Sequence, residues 1–367
     1  MQQRVKENHL ISGWFAFFLL NAQVGNGSLV IQNILFKDAE QDAWISVLFM
    51  GISLHIIIWM IYKMLGNPSK DVIDLHRMIF GSFLGNAVSF LLIAYFFILA
   101  LSVFRTYIDV LQVWIFPTLK TWEMAVILII MIYYLVSGGF RVLTGLAFFA
   151  VITSIFLIFF NIFPIRYGIF TYLLPVWNHT VHDLFKSFKT SCGLFIGFEA
   201  LLVYFPFLKS PAENEKWAHF GLLLTTLQYT TIVVSTLVYF SHGLLMHTLY
   251  PVLVETKIIE FDFLERIEYI FAVSLMIVMI PSLCISIWSC SRIMKRITHL
   301  NPRISLPLIL IVFFIVIIQF NDRIKVDELG RFVTEVGFYF LFAYIPSIFI
   351  IYLIVTKIFA KKSSAYQ

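Results

Sequence analysis

Apolar runs of about 20 residues recur along this chain, each long enough to cross the hydrocarbon of a bilayer as a helix. Ten are recognisable, at 10–36, 43–62, 80–104, 121–137, 142–163, 184–207, 217–241, 268–292, 304–320 and 331–356. Backbone polar groups in hydrocarbon must be satisfied within the chain, so runs of this length predict helices and an all-α polytopic membrane protein of ten transmembrane helices. Composition agrees with this: 60% of the 367 residues are hydrophobic and 13% charged, against roughly half and a quarter in soluble domains. The net charge of +5 is spread over connections beside apolar runs rather than gathered in a basic domain, which argues against nucleic acid as a partner. Cys192, Cys284 and Cys290 sit in apolar runs without metal-ligand or disulfide spacing and read as small buried hydrophobes.

Lys and Arg in the connections set the orientation. With the N-terminus inside, 15 of the 26 fall on the inner side, and the remaining 11 share the outer side with a larger number of Asp and Glu, as in 37–42 and 255–268. Both termini are therefore expected to be cytoplasmic. Arg4 and Lys6 precede the first run as in a signal peptide, but the run is too long and is interrupted by Asn21, Gln23 and Asn26, so it is expected to stay. The outer connections around 164–183 and 242–267 are long enough for structure of their own. The second contains Pro251 and fits a short helix over the extracellular mouth.

The first run is interrupted near its middle by Val24-Gly25-Asn26-Gly27-Ser28, where helix propensity is poor. Unwound backbone at membrane depth persists where protein covers it or where it lines a cavity, so a broken helix there predicts a binding site. The sixth run repeats the pattern in Ser191-Cys192-Gly193-Leu194-Phe195-Ile196-Gly197-Phe198-Glu199. Interrupted helices at corresponding positions predict a single membrane domain, 1–367, built as a 5+5 inverted repeat from about 10–163 and 184–356.

Several side chains and backbone groups are candidates for the site. The helix half that starts after Gly27 offers free N–H groups to a carboxylate, and the half ending near Val24 offers carbonyls to an ammonium group or cation. An amino-acid-sized zwitterion fits that pairing; close helix packing is the competing reason for Gly25 and Gly27. Glu199 is a carboxylate inside an apolar run, where charge is costly and usually functional; a neutral acid tying the sixth helix to a neighbour is the competing reading. Tyr95 and Leu99, four apart, share a face of the third run, and in the eighth run Pro281 frees a carbonyl beside the Ser282 hydroxyl. His55 stands alone, and His179, His182 and Asp183 read as a solvated cluster rather than a metal site. No catalytic motif, cofactor fingerprint or metal-ligand spacing argues for an enzyme.

Val24-Gly25-Asn26-Gly27, Ser137-Gly138-Gly139, Gly197-Phe198-Glu199 and Phe263-Leu264-Glu265-Arg266-Ile267-Glu268 together resemble the B subunit of endospore germinant receptors. That family is a branch of the amino acid-polyamine-organocation transporter superfamily. The resemblance implies a LeuT-like, amino acid permease-like fold, the spore inner membrane, and sensing of a small nutrient, an amino acid above all, together with A and C subunits. By position it places the ligand on Gly25, Asn26, Gly27, Leu99, Ile196, Gly197, Phe198 and Ser282, and the reading of the residues themselves adds Ser28, Tyr95 and Glu199. Two departures stand out: Ile31-Gln32-Asn33 where many relatives have Leu-Pro-Arg, and Tyr250-Pro251-Val252 where they have Trp-Pro-Thr. The first bears on helix geometry beyond the break and on the ligand.

A sensor and an ion-coupled secondary amino acid transporter are the competing functions. Some proton-coupled relatives carry a basic residue in the fifth run, and here no Lys or Arg lies between Arg141 and Arg166, which favours the sensor. Ser274, Ser282 and Ser286 remain available for a sodium site. A purely structural membrane partner would leave the two breaks and Glu199 without a reason.

Overall fold

The computed structural model describes residues 7–22, 27–66, 70–259 and 267–364. The order of α-helices is α1 Ala16–Ala22, α2 Gly27–Ala39, α3 Ala43–Leu65, α4 Val72–Trp114, α5 Thr121–Ser137, α6 Phe140–Ile158, α7 Ile162–Tyr167 and α8 Val181–Phe195. It continues with α9 Leu201–Tyr204, α10 Glu215–Tyr239, α11 His242–His247, α12 Pro251–Glu255, α13 Ile267–Thr298, α14 Pro302–Ile317, α15 Arg323–Tyr339 and α16 Ile345–Ser364. Among the described residues six helical stretches are long and apolar enough to cross a bilayer, and a bent pair, Val181–Phe195 with Phe198–Phe207, makes a seventh. Shorter apolar helices cover Gly13–Ala22, Thr121–Ser137 and Pro302–Ile317, so each apolar run contains helix among the described residues.

The sixth helix is broken within the predicted segment 191–199, at the second of its two glycines, while Gly193 stays helical. A capping box opens α8: the Thr180 hydroxyl accepts the Asp183 N–H at 3.2 Å, and the Asp183 carboxylate accepts the Thr180 N–H at 3.3 Å. The helix stops at Phe195, Ile196 is extended, and Gly197 takes φ +125°, a conformation that side chains with a Cβ rarely adopt. The chain resumes as a 3-10 turn at Phe198–Ala200, turned by 55°. In the first span α1 stops at Ala22 and α2 starts at Gly27, and the two pack against different neighbours, α1 on α6 and α10, α2 on α8. The predicted interruption at Gly25 and Asn26 lies outside the described residues.

Two spans run further than their apolar windows. The third, expected at 80–104, belongs to a helix over Val72–Trp114, divided at Gly81, whose φ of 78° and ψ of 177° turn Val72–Phe80 aside. The turned segment passes close to Gly85, where a Cβ would lie 2.7 Å from the His76 carbonyl oxygen. Its first turn is capped by Asp71, which accepts the Asp74 N–H at 2.9 Å. The C-terminal extension carries charge because that charge is paired: Asp109 accepts from Tyr250 and, at 2.9 Å, from Arg323 at the start of α15, and Arg105 lies 3.8 Å from it. The tenth span, expected at 331–356, begins at Arg323 and continues through a π-helical turn at Phe340–Tyr344 into α16.

The long helix α13 packs mainly on α4 and α6, and α15 packs on α8. At the other end of α4 from Asp109, buried Arg296 of α13 reaches Asp71 at 3.2 Å and also Asp74, and Arg77 donates to the Arg296 carbonyl at 2.9 Å. The first long connection is held by Asp42, which accepts the N–H groups of Trp177 and Asn178 at 2.8 Å and the His179 ring at 3.0 Å. His179 is therefore an anchor to Asp42, and Asp183 a helix cap. The second long connection forms α11 and α12, both packed on α2.

Candidate ligand site

Glu199 joins the broken sixth helix to its neighbours. The 3-10 turn that follows Gly197 points its carboxylate back at the break: one oxygen accepts the Gly197 N–H at 2.8 Å, and the other accepts the Tyr95 hydroxyl of α4. The side chain is fully buried, so both bonds form away from water, where an unpaired donor is costly. Tyr95 stacks on Phe340, with ring centroids 4.3 Å apart and planes 13° from parallel, and Phe340 stacks on Tyr344 at 4.7 Å. Tyr344 is hydrogen-bonded to the ring of His76, whose other nitrogen meets Ser89 at 2.8 Å. One chain of contacts thus runs from the break through α4 and the π-helical turn to the segment before Gly81. π-Helical turns are frequent at functional sites.

Of the residues singled out from sequence, Tyr95, Gly197 and Glu199 meet directly. Ile196 and Phe198 flank Gly197 and are buried; Leu99 is buried one turn beyond Tyr95. Ser282 is buried on α13, which runs on through Pro281, and its carbonyl accepts the Ser286 hydroxyl at 2.9 Å. Gly27 and Ser28 open α2. Gly25 and Asn26 lie outside the described residues, as does most of the Phe263–Glu268 motif.

A crevice of about 70 Å³ opens on the other flank of the first span, lined by residues of α1, α6, α10, α12 and α13 and by Asn161. That volume accommodates a few waters or a small polar group. Its polar wall is uncharged: Asn21, Ser154, Asn161, Gln228 and Tyr229. Asn21, at the end of α1, donates to Thr225 and Gln228 at 2.9 Å, and Gln228 donates to Ser154 at 3.2 Å, so one carboxamide ladder ties α1 to α10 and α6. The Tyr229 hydroxyl is buried without a hydrogen-bond partner among the described residues. The fifth and seventh spans, which sequence reasoning did not single out, supply most of this wall; their signal is a lone carboxamide, Gln228, in an apolar run.

Other side chains also change meaning. His55 faces His219 of α10, with the two Nδ1 atoms 2.8 Å apart. In the first departure, Asn33 donates to the Thr248 carbonyl at 3.0 Å, and α2 stays helical through it. In the second, Tyr250 donates to Asp109, Pro251 starts α12 and Val252 lines the crevice.

Residues 10–325 match the family described as "Spore germination protein". The spore germination protein GerQB of Bacillus cereus is 33% identical over 350 residues, covering 95% of this chain and 97% of that protein. YndE, a spore germination protein of Bacillus subtilis, is 24% identical over 216 residues, covering 58% and 59%. Among solved structures, a variant of a manganese transporter from Eremococcus coleocola superposes with a TM-score of 0.63 at 12% identity, covering 95% of this chain and 80% of that one. A Na⁺-coupled sialic acid symporter in a substrate-bound outward-open state superposes at 0.57 and 11% identity, covering 96% and 79%. The shared property is the fold: this chain is a polytopic helical membrane protein with a LeuT-like fold.

Proposed function

The chain belongs to the spore germination protein family, and from that premise we propose that it is the nutrient-sensing B subunit of a germinant receptor. In this reading a small molecule, an amino acid by preference, binds between the broken first and sixth helices. The ligand carboxylate meets the N–H groups at the start of α2, and its ammonium group meets the carbonyls at the end of the first half-helix. Gly25, Asn26, Gly27, Ser28, Ile196, Gly197 and Phe198 form the cradle, with Tyr95, Leu99, Glu199 and Ser282 on the surrounding helices.

The observation that carries this reading is the bridge from Glu199 to both Gly197 and Tyr95. A ligand that changes the geometry of the break alters the only described carboxylate joining it to the third span, and through the Tyr95–Phe340–Tyr344 stack biases α15 and α16. Differential affinity for two arrangements of these helices is what a sensor needs, and partner A and C subunits would read the arrangement. The site of action is the spore inner membrane, with both termini cytoplasmic.

A working ion-coupled amino acid transporter is the second reading, favoured by the fold shared with a Na⁺-coupled symporter. Vesicles containing this chain alone separate the two. A sensor binds labelled nutrient in proportion to protein and reaches the same level with or without an H⁺ or Na⁺ gradient. Accumulation above the outside concentration, abolished by collapsing the gradient, overturns the sensor reading.

A further inference from the structure

Glu255, the last residue of α12, is buried outside the Glu199 cluster and has no charged partner among the described residues. One carboxyl oxygen lies 2.8 Å from the Ser235 hydroxyl of α10, with Thr236 beside it, and the other is buried without a hydrogen-bond partner among the described residues. The same Ser235 oxygen lies 3.1 Å from Oδ1 of Asn161, which lines the crevice. The Asn161 amide is oriented by its own Nδ2, which donates to the Ile158 carbonyl at 3.3 Å.

These contacts hold one proton too few. Ser235 has a single hydroxyl hydrogen, and both of its partners are acceptors if Glu255 is ionised. Both contacts are hydrogen bonds only when Ser235 donates to Asn161 and accepts from a protonated Glu255. We infer that Glu255 is a proton-binding site that docks α12 onto α10 and so roofs the crevice, since Val252 of the same helix forms part of its lining. Loss of the proton strands a buried anion and releases the roof. The inference concerns α12 alone and stands whether or not the nutrient enters by the crevice.

Burial pushes the Glu255 carboxyl up to about 7 from its ordinary value of 4.5, against the opposing pull of the Thr236 and Ser235 hydroxyls. The sign follows from linkage. A carboxyl raised in the docked state makes docking strongest at low pH, and docking weakens as pH climbs from the ordinary value to the raised one, then levels off. The neighbours do not supply a counter-charge. On α10 the titratable group that interacts electrostatically with Glu255 is Tyr239, a neutral phenol; on the turn after α12, Lys257 lies over the Trp114 ring at 4.8 Å. On α2, Asp38 is held by Lys186 at 2.7 Å and Lys37 is exposed; on α13, the titratable groups of the first turns are Glu268 and Tyr269. Glu260, Asp262, Glu265 and Arg266 lie outside the described residues.

The test is the reaction of Val252→Cys with a membrane-impermeant maleimide between pH 5 and 8.5, in the full-length chain in lipid nanodiscs. The native cysteines are buried, and the chain without the added cysteine provides the blank. Each rate is divided by that of the same cysteine in a Glu255→Gln chain, which cancels the pH dependence of the thiol itself. The expected ratio rises by up to about tenfold per pH unit towards neutrality and flattens near pH 7. If Glu255→Gln does not fold, Ser235→Ala serves: ionised Glu255 loses a donor, and the plateau moves to higher pH. A pH-independent ratio, or a profile untouched by Ser235→Ala, overturns the inference. So does a ratio that changes only when Na⁺ replaces K⁺, which would make the occupant a metal ion.

Discussion

Replacing Glu199 by Ala should be among the most damaging single changes in this chain, and by an amount the site itself sets. The substitution removes the carboxylate that accepts from the Tyr95 hydroxyl and from the Gly197 N–H at a point of zero solvent exposure. Each lost buried bond to the carboxylate costs about 1.5–3 kcal/mol, so the sum is about 4 kcal/mol, or roughly a thousandfold in the folding equilibrium. Glu199→Gln should be milder. Its amide oxygen still accepts from Gly197 and its NH₂ donates to Tyr95, whose own O–H then loses its acceptor, so the loss is that of one donor, about 1–3 kcal/mol, roughly half that of Ala. Unfolding of the purified chain in micelles, followed by tryptophan fluorescence against denaturant, measures both. The reasoning is refuted if Ala lies within about 0.5 kcal/mol of the parent, or if Gln is as harmful as Ala, since hydrogen-bond count would then not be what Glu199 contributes.

Three further outcomes follow from the same structure. Gly197→Ala imposes a Cβ at φ +125° and should lower stability by about 1–3 kcal/mol in the same unfolding assay, whereas an unchanged midpoint would mean that the break does not need this conformation. Arg296→Met strands buried Asp71 and should cost about 3–5 kcal/mol, most of it recovered in the double variant with Asp71→Asn; no recovery would show that the pair is not coupled. Asn21→Ala cuts the ladder to Thr225 and Gln228 and should cost about 2 kcal/mol, while Asn21→Gln at full stability would show that the ladder tolerates displacement of its first rung.

Most of the architecture was legible because its causes are local. Apolar length marks a membrane helix, and the glycines of 191–199 mark poor helix propensity, so the sixth-helix break was readable to that segment; that Gly197 breaks and Gly193 stays helical was not. Glu199 was readable as an oddity, a carboxylate in an apolar run, but its bond to Tyr95 was not, since the two are 104 positions apart and only tertiary packing joins them. The true extents of the third and tenth spans were hidden for a related reason. The hydropathy windows end at Arg105 and Arg331, whereas the third helix continues because Asp109 lies beside Arg105 and is itself paired with Arg323 and Tyr250 across distant segments. The crevice wall and the Glu255 cluster are assembled from Asn21, Asn161, Gln228 and Ser235, polar residues of ordinary appearance that gain meaning only from their mutual placement. His55 shows the same limit, since nothing near it in sequence announces His219.

The central claim, that a small nutrient binds between the broken helices, is tested most directly by equilibrium binding of a labelled panel of amino acids, sugars and nucleosides to the purified chain. Gly25→Val is the control, checked for normal abundance and folding. The account predicts saturable binding of at least one amino acid to the parent chain and its loss in the variant. Binding that survives Gly25→Val unchanged would place the ligand elsewhere in the molecule and contradict the account.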